Sequence, residues 1–86
     1  MEIYKQIEIL TKASNKLYEL KAIKEVSFDK HNKKLEEIDN STISPDVREF
    51  CKSRFEYLIN SDKRHLAELE VILNDIEGLI RELYSK

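Results

Sequence analysis

Residues 55–83 read FEYLINSDKRHLAELEVILNDIEGLIREL, and their apolar positions recur on a heptad. One row holds Phe55, Leu58, Asp62, His65, Leu69, Ile72, Ile76, Leu79 and Leu83, and a flanking row adds Ile59, Leu66, Leu73 and Ile80. Eleven of these thirteen positions are apolar, which predicts an α-helix whose stripe is wider than a simple coiled-coil seam. Upstream, Ser44-Pro45-Asp46 reads as the helix start: a favoured N-cap, a proline suited to the first turn, and an acid that complements the helix dipole. The helix is therefore expected over 45–84, about 60 Å at 1.5 Å per residue if unbroken. The polar run Asn60-Ser61-Asp62 is the one place where it could restart, with Ser61 or Asp62 as a new cap.

The first half of the chain is less regular. Ile3, Ile7, Leu10, Leu17, Phe28, Leu35 and Ile38 share a heptad row with Ser14, Lys21, Lys24 and His31, while Ala13, Leu17, Leu20 and Ile23 form a drifting stripe. A helix over 2–39 is expected, either continuous or broken near 25–28, where Ser27 could cap a second segment. The polar residues 40–44 form the turn, and so short a connection suits an antiparallel pair of helices. The expected fold is all-α: one domain over 1–86, built as an antiparallel helical hairpin. Counting back from the turn pairs residues whose numbers sum to about 84. That places Lys21 and Lys24 within reach of Asp62, His65 near Leu20, and His31 far from Asp62. Phe28, Phe50 and Phe55 are expected to gather toward the turn.

Composition agrees with helices and removes other classes. Of the 86 residues one is Gly, one Pro and one Cys, too little turn chemistry for a β-sandwich or a βαβ fold. A single Cys51 allows no intrachain disulfide and reads as a structural thiol on the inner side of the second helix. No basic start with an apolar run and a cleavage site is visible, and the apolar run Val71-Ile72-Leu73 is far too short to span a membrane. A cytoplasmic protein is expected. The formal net charge is −2, and the acids concentrate late: residues 66–86 hold five acids against Arg81 and Lys86. Such a balance offers no clustered cations for a nucleic-acid backbone, and Lys30-His31-Asn32-Lys33-Lys34 reads as a solvated helix face. Ile, Lys and Asn make up 26 residues, and Lys outnumbers Arg eleven to four, a bias suggesting a low-GC bacterium or its phage.

Asp62 and His65 interrupt the apolar seam. With Lys21 and Lys24 they are expected to form a buried polar layer that fixes register, the alternatives being the helix restart or a ligand site. Enzymes need converging polar groups in a pocket, and no Gly-rich phosphate loop, nucleophile elbow or zinc spacing is present. No catalytic residue, cofactor or metal is expected. A two-helix hairpin leaves apolar stripe uncovered, so self-association into a helical bundle is expected, together with a larger protein partner. The partner surface is read as Glu68, Glu70, Asp75 and Glu77 with Tyr57 and Tyr84, because stiff tyrosines with a polar tip favour interfaces.

The functional expectation is a small non-enzymatic protein-binding factor: an inhibitor, immunity or regulatory protein. One alternative is an oligomeric module holding a small anion with Lys21, Lys24, His65 and a tyrosine. Another follows from architecture, which resembles the helical-hairpin partners of type VII secretion substrates. This chain has Asn40-Ser41-Thr42-Ile43-Ser44 where that family carries Trp-X-Gly, and Tyr84 is followed by only two residues where the family ends in Tyr-X-X-X-Asp/Glu.

Overall fold

The computed structural model describes residues 2–86. It contains two helices, α1 (Ile3–Asp39) and α2 (Pro45–Tyr84), packed antiparallel as a hairpin measuring 63 × 16 × 15 Å over its Cα atoms. Both helices are continuous. The anticipated restarts near 25–28 and 60–62 are absent because the side chains that would cap them are engaged elsewhere: the Ser27 hydroxyl donates to the Asp62 carboxylate across the hairpin. A capping side chain competes with the helix only while it is free to turn back on its own backbone.

Pro45 and Asp46 open α2 as the sequence predicts, but the Ser44 side chain makes no capping bond. The turn is held from its other flank. Arg48 Nη2 donates to the Ser41 carbonyl at 2.6 Å and to the Ile43 carbonyl at 3.5 Å, and Ser41 Oγ donates to the Ile38 carbonyl at 2.7 Å. Lys52 and Asp39 pair across the base of the turn at 3.2 Å, and that hydrogen bond and charge raise the Lys52 pKa.

The seam follows the rows read from sequence, polar members included. Among the described residues, Ile7 and Ser14 of α1 and Ile59, Asp62 and Leu73 of α2 are buried. The flanking row of α2 thus lies deeper than part of the main row, and Ile72 and Leu79 remain about half exposed. The drifting stripe of α1 divides, with Ala13 and Leu17 half-buried and Leu20 and Ile23 exposed. Phe28 and Phe55 turn inward near the turn end, whereas Phe50 points out and is 76% exposed.

Cross-hairpin pairs do not keep to the simple count. Lys24–Asp62 sums to 86 and His31–Asp62 to 93, against the 84 obtained from the turn. Side chains on a helix lean toward its own N-terminus. In an antiparallel pair, α1 side chains therefore lean away from the turn and α2 side chains toward it, which moves every contact to a higher sum. That lean raises a sum by only about two; the rest of the shift is the register itself, since Asp39–Lys52 beside the turn already sums to 91. His31 reaches Asp62, contrary to the expectation that it lies far away.

Gly78 sits in the interior of α2, and a Cβ added there would meet only Arg81 Nη2, at an ordinary 3.8 Å. Gly78→Ala is expected to stabilise the fold by about 0.5–1 kcal/mol, read as a higher urea midpoint with an unchanged slope.

Candidate functional site

Two features stand out along the seam: a buried carboxylate and an open apolar groove beside it. Asp62 is 4% exposed. Three residues of α1 spaced three and four apart, hence on one face, converge on it. Lys24 Nζ lies 3.5 Å from Oδ1, while Ser27 Oγ donates to Oδ2 at 3.0 Å and His31 Nδ1 lies 2.9 Å from Oδ2. A carboxylate accepts only, so the His31 Nδ1 in this contact carries the proton. The His31 ring also rests against Phe55, with centroids 6.0 Å apart.

Burial pushes the Asp62 carboxyl upward, but the hydrogen bonds from His31 and Ser27 and the nearby His31 and Lys24 charges outweigh it. The pKa is held below the ordinary carboxylate value. Every nearby donor belongs to α1, so the cluster ties one helix to the other at one register. Of the two lysines expected to reach Asp62, Lys24 does and Lys21 is half-buried in the seam without forming that pair. His65 is half-buried three residues from Asp62, and its Nδ1 is enclosed without a hydrogen-bond partner. Ser27 and His31 completed the cluster unannounced. The signal for His31 was its place on the α1 seam row; the signal for Ser27, a hydroxyl one turn from Lys24, was weaker.

Beside this cluster the two helices leave a groove lined by Leu20, Ile23 and Lys24 of α1 and His65, Glu68, Leu69 and Ile72 of α2. Its cavity is about 250 Å³ and its walls are almost wholly apolar. Lys24 is already opposite Asp62 and Glu68 stands on the rim, so the groove suits apolar side chains better than an anion. No group of three or more His, Cys, Asp or Glu side chains arranged to hold a metal occurs among the described residues.

The residues read as a partner surface fall on two edges of α2. Glu68 and Asp75, seven apart, run along the groove side and are exposed. Glu70, Glu77 and Tyr84 share the opposite edge, also at sevens. Glu77 there accepts a hydrogen bond from Tyr18 of α1, which raises the tyrosine pKa, whereas Glu70 and Tyr84 are exposed. Tyr57 lies farther round the outer face, 63% exposed, with the Arg54 guanidinium 5.9 Å from its ring centroid. Among the described residues no helix is long and apolar enough to cross a membrane.

Because the Asp62 pKa is lowered on folding, its stabilising contribution is complete above the unfolded value of about 3.9 and is lost as pH falls through the lower folded value. The thermal midpoint is expected to drop as the solution is acidified below about pH 4, and Asp62→Asn to flatten that part of the profile. Asp62→Ala should cost about 1–3 kcal/mol because it leaves the Ser27 and His31 donors without their acceptor. A leucine variant that also replaces those donors (Asp62→Leu with Ser27→Ala and His31→Leu) should instead lie close to the parent. Loss of all folding in the leucine variant would show that the cluster contributes more than register. No family model matches the chain, and no curated protein or solved structure matches it either.

Proposed function

We propose that the chain is a non-enzymatic protein-binding factor that acts as a helical dimer or oligomer. The observation carrying this reading is the apolar groove along the hairpin, flanked by half-exposed Leu20, Ile23 and Ile72. A soluble helix normally turns such residues inward, and a contiguous apolar face is a place for association. The outer face of α2 supports a second, different contact. Phe50 and Tyr57 are seven apart on that face and among the most exposed large side chains, and aromatic side chains of this kind anchor protein interfaces.

Self-association through one face and a partner on the other matches an inhibitor, immunity or regulatory protein of a low-GC bacterium or phage. Lys24 and His65 on the groove wall are what favours the anion-holding alternative; the pairing of Lys24 with Asp62 weighs against it.

Sedimentation equilibrium across a wide concentration range should give a dimer or higher species, and a strict monomer would sink the self-association reading. For the partner face, Tyr57→Ala combined with Glu70→Lys should abolish capture of the partner in a tagged pull-down while leaving the oligomeric state unchanged. Undiminished capture would remove the acidic edge and Tyr57 from the contact.

A further inference from the structure

The hairpin exposes 6632 Å² of accessible surface. A compact monomer of 10.2 kDa would expose roughly 5,300 Å². The excess, about 1,300 Å², exceeds the roughly 800 Å² that each partner contributes to a stable interface. Five exposed apolar side chains line one side. Ile9, Leu20 and Ile23 of α1 and Ile72 and Leu79 of α2 are all between 45% and 63% exposed. Helical spacing puts them on the groove side, along the half of the hairpin that ends at the chain termini.

The rims of this strip are not alike. Along α2, Glu68, Asp75 and Glu82 recur at sevens and are exposed. Along α1, the corresponding row runs Glu2, Ile9, Lys16, Ile23 and Lys30, and within the strip, from Ile9 to Ile23, Lys16 is the one charge. The local partner of Lys16 is Glu19 at 3.5 Å, and both side chains are largely exposed, so that pair is weak. Two hairpins can meet face to face on the strip in two symmetric ways. With the twofold axis across the hairpin, α2 lies on α2 and six acids face one another. With the axis along the hairpin, each α1 lies over the partner's α2, and Lys16 meets the acidic row. Like charges opposed across an interface select against the first arrangement.

Resting on the self-association proposed above, we infer that a second copy of this chain covers the groove side, with the two turns at the same end and each α1 seated on the α2 of its neighbour. The area excess sets the size of the occupant, and the one-sided charge rows set its orientation.

The test combines charge swaps with a distance. Lys16→Glu should weaken the dimer about tenfold, and adding Glu68→Lys with Asp75→Lys should restore it. All three positions are exposed, so each variant should keep the helical circular dichroism spectrum of the parent. A nitroxide at Thr42→Cys in a Cys51→Ser chain should report turn-to-turn distances within about 30 Å, given helix spacings of about 10 Å. Distances at or beyond the 63 Å length of the hairpin, or failure of the swap to restore association, would overturn this arrangement and leave self-association standing. A wild-type chain that is monomeric throughout would overturn both.

Discussion

The structure depends on one buried carboxylate. Asp62 is cut off from water in a molecule whose every other strongly charged side chain keeps some contact with solvent. A charge placed there is tolerable only while its oxygens are occupied, and the occupants are Lys24, Ser27 and His31 on the facing helix. Sliding α1 by one turn would carry those donors past the carboxylate and leave it bare. The apolar seam alone would resist such a slip weakly, because one leucine or isoleucine in a heptad row resembles the next.

That constraint also explains the length of the helices. Asn60-Ser61-Asp62 and the segment around Ser27 both have the composition of a helix start. Each segment remains helical because its polar side chain finds a partner across the hairpin, so tertiary bonding replaces local capping. The turn follows the same economy: Ser44 does not cap, and Arg48 reaches back to the Ser41 and Ile43 carbonyls.

The hairpin, its turn and the bounds of both helices were legible in sequence because the heptad rows and Pro45 are local signals. The polar layer was half legible. Asp62, Lys24 and His65 stand out as breaks in apolar rows, but their pairing depends on register, and a count from the turn ignores the lean of side chains along each helix. His31 was missed chiefly because the two helices pair several residues out of the register counted from the turn, as Asp39–Lys52 already shows. Surface exposure was harder to read: a wide stripe on α2 and a drifting one on α1 do not say which row a single neighbour will cover. Leu73 went in and Ile72 stayed out, a choice made by the rotation of one helix about its axis, which no single-helix pattern contains.

The polar cluster divides the molecule unequally. On one side lies the covalent turn, braced by Arg48 and by Lys52–Asp39. On the other lie the free helix ends, where Ile3, Tyr4, Leu83 and Tyr84 meet around an open pocket. A two-stranded zipper frays from its unlinked end, because nothing there limits the entropy gained on opening. The uncovered strip from Ile9 and Leu79 to Ile23 occupies that same half, so a body docked on it would act as a clasp where the chain has no covalent closure.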